Sequence, residues 1–279
     1  METPGPADSS YAFGNDAPEA ADRHVQLAAL LDEFTISRLS ALGDLTGRRC
    51  LETGAGGGSV AAWLAEAAGP AGRVLATDVD TQHLPAPAPY EVLRHDLERE
   101  PVPDGPWDVI HARLVLMHLP SREAVLRRLA AALAPGGALV VEDFETTFRK
   151  LVLAAPTMHA AALVDRYHVL LVERVLAAHG NDPAWAGRVP AAMLEAGLTG
   201  IDTVIHARSW PGGTAGALLI GANLAQARAG FLAAGMTRAE LDELGRLVHD
   251  PRLLVRGHLT YSTIGRAPMP CGAAPCDAC

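Results

Sequence analysis

Lysine is almost missing from this chain. Lys150 is the only one in 279 residues, and every other basic side chain is arginine or histidine. We read this as a bias towards GC-rich codons. It still excludes one chemistry, because a phosphate-cradling P-loop needs a lysine after its glycines and none follows Gly58. Positive charge is outnumbered as well. The 23 lysines and arginines face 32 acidic residues, a net charge of −9, which argues against a nucleic-acid backbone as the main partner. No uninterrupted apolar run reaches the roughly 18 residues that suggest a membrane span. The stretch "METPGPADSSYAFGNDAPEA" has neither a basic start nor an apolar run, so a signal peptide is not expected. Aromatic residues make up only 5% of the chain, and aliphatic residues dominate its apolar content. Cysteine is sparse too. Cys50 falls in a strand-like run, while Cys271, Cys276 and Cys279 crowd the tail; this is no disulfide framework and predicts a cytoplasmic protein. The tail spacing C-x4-C-x2-C lacks the fourth ligand of a tetrahedral zinc site, so no metal is expected.

What the chain does have is glycine and alternation. A helical stretch carries Leu27, Leu30, Leu31 and Phe34 at helical spacing. Strand-like and helix-like runs then alternate. The strands are "RCLET" (49–53), "RVLATD" (73–78), "YEVLRHD" (90–96), "WDVIHA" (107–112) and "ALVVEDF" (138–144). Between them lie a helix over 59–68 and another from a cap at Ser121 to about Leu133. Such βα alternation predicts an α/β, doubly wound, parallel sheet with its ligand outside the carboxyl ends of the strands. Further on, the pattern predicts a long helix over 156–178 stopped by Gly180 and a short helix from Pro190 to Gly197. A strand over 200–210, a helix over 214–235, a capping box at Thr237 and Glu240 and a last strand over 259–268 complete it.

The stretch "LETGAGGGSV" (51–60) poses the functional question. Gly54 and Gly56 fit the dinucleotide fingerprint G-x-G-x-x-G, but its third glycine position is Ser59. The spacing is instead E-x-G-x-G-x-G, with Glu52 in front, which brings backbone close to a ligand without demanding a pyrophosphate. Asp78 ends the second strand, 24 residues after Gly54, where a carboxylate accepts ribose hydroxyls; that position also suits a nicotinamide dinucleotide. Asp96 follows the third strand, where a carboxylate can accept from an adenine amine. "LAPGG" (133–137) makes a turn before the fifth strand.

These ordered motifs, with "HLP" (118–120), resemble the class I S-adenosylmethionine-dependent methyltransferases over residues 45–145. More loosely, the whole chain resembles bacterial members acting on small molecules. The resemblance implies a Rossmann-like, mostly parallel seven-stranded sheet with helical lid insertions. It divides the chain into an arm or lid (1–24), a cofactor-binding core (25–145) and a substrate-covering segment (146–198). The segment 199–267 completes the sheet, and a disordered tail (268–279) follows. It implies S-adenosylmethionine as cofactor, lined by Gly54, Gly56 and Gly58, with Glu52 ordering the loop. Asp78 takes the ribose hydroxyls, Val79 packs on the adenine, Asp96 and Leu97 hold the adenine edge, and Ala112 offers backbone to the methionine amine. Tyr11 and Arg23 close over the cofactor from the arm. Gly14 departs from the acid that members often carry there.

The chemical candidates follow. Methyl transfer is an in-line displacement that disperses charge, which suits a dry pocket; a base is needed only where the nucleophile starts protonated. His111, at the end of the fourth strand, reads either as that base or as a packing residue. His168 reads as a second candidate, in a pair with Asp165 or in an inconsequential exposed ion pair. His118 reads as structural. The segment after the fifth strand covers the acceptor in this fold, which nominates His159, Arg166 and Tyr167; Arg113 either orients an acidic substrate or is solvated. No [ND]-P-P-[YF] motif follows the fourth strand, which argues against methylation of nucleic-acid amines. The expected activity is methylation of a small-molecule hydroxyl in secondary metabolism. An NAD(P)-dependent oxidoreductase and a non-catalytic cofactor-binding partner protein stand as alternatives, and a homodimer is left open.

Overall fold

The computed structural model describes Phe13 and residues 19–270. The expectations for Tyr11, Gly14, Cys271, Cys276 and Cys279 lie outside the described residues. No described helix is long and apolar enough to cross a membrane.

A seven-stranded sheet forms the centre. Its strands are β1 (Arg49–Thr53), β2 (Arg73–Asp78), β3 (Glu91–Arg94), β4 (Trp107–Arg113) and β5 (Leu133–Glu145), joined later in the chain by β7 (Thr199–His206) and β10 (Leu259–Arg266). Their order is β3-β2-β1-β4-β5-β10-β7. The first five run parallel, and β10 runs antiparallel to both β5 and β7. The central strands are buried on both faces, as near-continuous apolar runs require, while β3 at the edge is exposed throughout.

Helices cover both faces. On one, α1 (Glu19–Ser40) and α2 (Ser59–Ala68) bury Leu39, Val60 and Leu64 against Cys50, Val109 and Val140. On the other, α3 (Arg122–Ala131) and α5 (Trp185–Glu195) pack Leu126, Leu129 and Trp185 on Leu51, Ile110 and Leu139. A second core sits beyond the carboxyl ends of β4 and β5. It joins α4 (Met158–Leu170), α6 (Ala215–Gln226), α7 (Arg228–Ala233) and α8 (Arg238–Leu247) to a small sheet of β6 (Val152–Ala154), β9 (Leu254–Arg256) and β8 (Ser209–Pro211).

Several local expectations change. "LAPGG" is drawn into β5, whose register to β4 shifts between Trp107 and Val109. Pro190 lies inside α5 rather than at its start, because burial of Trp185, Ala186, Val189 and Met193 outweighs the lost backbone bond. The strand over 200–210 breaks into β7 and β8, which belong to different sheets. The helix over 214–235 breaks at Ala227 (φ −101°, ψ 21°) into α6 and α7. Ser121 makes no side-chain cap; its hydroxyl donates to Glu98 Oε1 at 2.9 Å. The helix expected over 156–178 turns from α to a π-helical turn at Leu171–Leu176, and Gly180 then stops it at φ 79°. The capping box at Thr237 and Glu240 forms as expected.

Candidate functional site

The glycine loop links β1 to α2. Gly54 stands at φ 65°, and a Cβ there would lie 2.3 Å from Val115 Cγ2. Gly58 caps α2 at φ 80°, where a Cβ would lie 2.2 Å from Tyr90 Oη. Only glycine satisfies both the left-handed backbone and the close neighbours. Asp78 reaches back to this loop. Its Oδ2 accepts the Gly56 N–H at 2.9 Å and its Oδ1 accepts the Asp80 N–H at 3.1 Å. Burial pushes the Asp78 carboxyl above its ordinary range, and the two N–H donors oppose that shift. Val79 beside it is half exposed.

Other expected contacts shift. Asp96 Oδ1 accepts the Glu98 N–H at 3.0 Å, so this carboxylate organises its own turn. Leu97 is buried in the core and can offer only backbone. Ala112 lies within the ladder between Thr53 and Val141, and β4 runs on to Arg113. The first residue past β4 is therefore Leu114, whose N–H donates to Glu142 O at 2.8 Å and whose φ is 54°, a left-handed conformation that costs a non-glycine residue roughly 1 kcal/mol or more. His24, unnoticed in the sequence, lies over the loop, its Nε2 3.3 Å from where a Gly56 Cβ would stand. Burial, with Arg23 and His83 adding, lowers its pKa to about 4.

Beneath the loop, three polar residues share one sheet face. His111 Nδ1 lies 2.7 Å from Glu52 Oε2, and its Nε2 lies 3.4 Å from Glu142 Oε2. Thr35 Oγ1 on α1 donates to Glu142 Oε2 at 2.5 Å. Burial pushes His111 down, but the two carboxylates outweigh it and raise the pKa to about 9. His111 is thus a fully buried imidazolium with both nitrogens engaged. Of the two readings, base or packing residue, the burial favours packing, because no substrate can reach the ring. Arg113 is corrected for a similar reason: it pairs with Asp32 at 2.9 Å and donates to Thr35 Oγ1 at 2.9 Å, under α1.

A narrow cavity opens beyond the ends of β4 and β5. Phe144, Leu171, Val172 and Leu176 form its apolar wall, three of them from the π-helical turn. Arg23, His118, Thr146, Asn223 and His258 supply its polar groups. Burial holds His118 and His258 near pKa 3, so both imidazoles are neutral. His258 Nδ1 is buried without a hydrogen-bond partner, and its ring meets Phe144 at 4.9 Å and Trp210 at 5.2 Å.

The nominated acceptor residues mostly miss this cavity. His159 is exposed and pairs with Glu243 at 3.3 Å, and Arg166 pairs with Glu240 on the surface. His168 is buried, stacks on Phe148 and has its Nε2 2.7 Å from Phe148 O, while Asp165 accepts the Leu151 N–H at 2.7 Å; the two make no pair, exposed or otherwise. Tyr167 is buried, and its hydroxyl accepts from Asn223 Nδ2 at 3.2 Å, one residue removed from the cavity. Arg23, assigned to the cofactor by resemblance, lines the cavity, whereas Gly54, Gly56, Asp78 and Val79 do not.

A reversed strand between β5 and β7, a glycine loop after β1 and a carboxylate at the end of β2 define the class I methyltransferase architecture. The comparisons with known proteins agree. A family described as a methyltransferase domain matches residues 22–183, more than half of the chain, and the chain belongs to that family. A Strobilurus tenacellus protein named methyltransferase str3 is 41% identical over 104 residues, 35% of this chain and 36% of that protein. The ubiquinone/menaquinone biosynthesis C-methyltransferase UbiE of Pseudomonas putida is 26% identical over 129 residues, 43% of this chain and 50% of that protein. The chain thus spans between about a third and a half of the length of these relatives. Among solved structures, phosphoethanolamine N-methyltransferase 2 of Haemonchus contortus, in complex with phosphomonomethylethanolamine and S-adenosylhomocysteine, is similar with a TM-score of 0.52. That likeness covers 85% of this chain and 53% of that one at 16% identity, and shows the fold. S-adenosylmethionine is the cofactor of the family.

Proposed function

We propose that this protein transfers a methyl group from S-adenosylmethionine to the hydroxyl of a small acceptor, in secondary metabolism. The carrying observation is the pairing of two features at one sheet end: a glycine loop tied to Asp78, and a narrow cavity with an apolar wall and neutral imidazoles. Gly54, Gly56 and Gly58 give the cofactor close backbone, Asp78 its ribose acceptor, and Val79 an open apolar face. Asp96 and the backbone of Leu97 stand at the adenine edge. Glu52 acts from below, held by His111. When bound, the cofactor supplies an electrophilic methyl on a sulfonium, whose charge disperses during transfer.

The chain's own residues then govern the acceptor. Phe144 and the π-helical turn exclude water, which favours a reaction that disperses charge. The neutral His258 offers Nδ1 to accept a hydrogen bond from a hydroxyl. Among the described residues the cavity lining contains no carboxylate and includes Arg23, a poor setting for a cationic amine acceptor.

Incubation with 13C-methyl-labelled cofactor and a mixed small-molecule library tests the reading. Label should emerge in a methoxy carbon. Label on nitrogen or carbon would move the reaction to another acceptor atom, and an absence of both transfer and cofactor binding would refute the methyltransferase reading.

A further inference from the structure

We infer that Arg23 is the anion-binding group of the acceptor cavity, and that the acceptor is an apolar-bodied carboxylic acid. The inference rests on the methyltransferase reading above and names the substrate class of that site.

Three other covered guanidinium groups of this chain are paired with acids. Arg38 meets Asp202 at 2.7 Å, Arg113 meets Asp32 at 2.9 Å and Arg122 meets Asp182 at 3.2 Å. These three have a carboxylate, whereas the partly covered Arg128 and Arg266 donate to backbone carbonyls. Arg23 is as buried as Arg38, at 7% against 8% exposure, yet among the described residues it has no carboxylate partner. Its Nε donates to the neutral amide of Asn223 at 3.1 Å, and its guanidinium lies 4.4 Å from the Phe13 ring centre. A guanidinium is a fixed cation in proteins. A buried cation with no counter-ion among the described residues is costly, and its place in the cavity wall makes a ligand a natural source of one.

The rest of the cavity says what else the ligand carries. Among the described residues no lining residue is Asp or Glu, although the chain is acidic overall. Asn223 is fixed by donating onward to Tyr167 Oη at 3.2 Å, so the group that aims Arg23 is itself held. The cavity is about 40 Å³, so an apolar or aromatic body enters only as the walls of Phe144, Leu171 and Val172 move apart, and His258 lies at the wall with its unpartnered Nδ1. The cofactor's methionine end also bears a carboxylate, but it brings its own ammonium, whereas Arg23 needs an uncompensated anion. Arg23 is anchored to α6 and, through Asn223, to α4, the helices of the covering layer.

Calorimetry in the presence of S-adenosylhomocysteine separates these sources. The probes are 4-hydroxybenzoate, salicylate and indole-3-acetate, each beside its own carboxamide, with the wild type, Arg23→Gln and Arg23→Lys. At least one acid should bind tenfold or more tightly than its amide, the scale of a charge-assisted hydrogen bond. Arg23→Gln should erase that preference and Arg23→Lys should keep part of it. Affinity for S-adenosylhomocysteine should stay within about twofold, and Arg23→Gln should melt no lower than the wild type because it removes an uncompensated buried charge. Equal binding of every acid and its amide to the wild type would overturn the proposal, with no variant needed. So would a tenfold loss of S-adenosylhomocysteine affinity in Arg23→Gln, which would give the guanidinium to the cofactor's carboxylate. Failure of the wild type to bind S-adenosylhomocysteine at all would strike the methyltransferase reading instead.

Discussion

Raising the pH from 6.5 to 9 removes roughly 3 kcal/mol of stability through one side chain, His111. The imidazole has no solvent exposure and stands between Glu52 and Glu142. Burial works against its charge, yet the carboxylates lift its pKa from 6.5 to about 9. The unfolded chain returns it to about 6.5. A folded pKa raised in this way contributes stability that is fully present below the unfolded value. It is lost as pH rises through the folded value. A gap of about 2.5 units at 1.36 kcal/mol each gives roughly 3 kcal/mol, or a fall in Tm of about 6–12 °C. His24, His118 and His258 do not blur this limb. Their folded pKa values are depressed, so their contribution is complete above 6.5 and is lost only as pH falls. Cys50, raised from 9.0 to about 12 by burial, begins to cost stability only near pH 9, at the top of the window. Thermal melts followed by circular dichroism at constant ionic strength check the wild type against Glu142→Gln. Removing His111 itself would leave two buried carboxylates facing each other, so Glu142→Gln is the more informative change. It should shrink the alkaline slope. A flat wild-type Tm across pH 6.5–9, or an unchanged slope in Glu142→Gln, would refute the buried imidazolium.

Three further outcomes follow from the geometry. Asp78→Ala should weaken S-adenosylhomocysteine binding by about 1–3 kcal/mol, the cost of leaving polar partners unmatched; unchanged affinity in calorimetry would remove the ribose assignment. Gly58→Ala pushes a methyl group to 2.2 Å from Tyr90 Oη in a left-handed backbone, and should lower stability in denaturant titration by about 1–3 kcal/mol. A wild-type midpoint there would mean the loop is not packed as described. Thr237→Ala breaks the capping box of α8 and should cost about 1 kcal/mol while leaving cofactor affinity alone. A fall in affinity would tie this distant helix end to the site.

The glycine loop and its tie to Asp78 were legible because their requirements are local. A strand, a run of glycines and a helix start sit within twenty residues, and only close backbone approach explains glycine at those places. The His111 cluster was half legible. "CLET", "VIHA" and "VVED" each put polar residues into apolar strand runs, and a buried polar group needs a partner. That three such residues share one face follows only from the strand order β1-β4-β5. The acceptor half was not legible. Arg23 and Asn223 meet across 200 residues of sequence, and Arg113 is claimed by Asp32 and Thr35 on a helix far upstream. Helical spacing put His159 and Arg166 on a covering helix, but their partners on α8 and at Gly235 turn them to the surface. His258 gave no local signal, since its neighbours Phe144, Phe148, Trp210 and His168 come from separate segments.

The most direct test of the central claim is a pair of calorimetric titrations of the wild-type protein, one with S-adenosylhomocysteine and one with NADH. A loop that bends at Gly54, Gly56 and Gly58 towards Asp78, with serine at the third dinucleotide position, predicts one-to-one binding of S-adenosylhomocysteine and no heat from NADH. Saturable NADH binding with a silent S-adenosylhomocysteine titration would contradict the account.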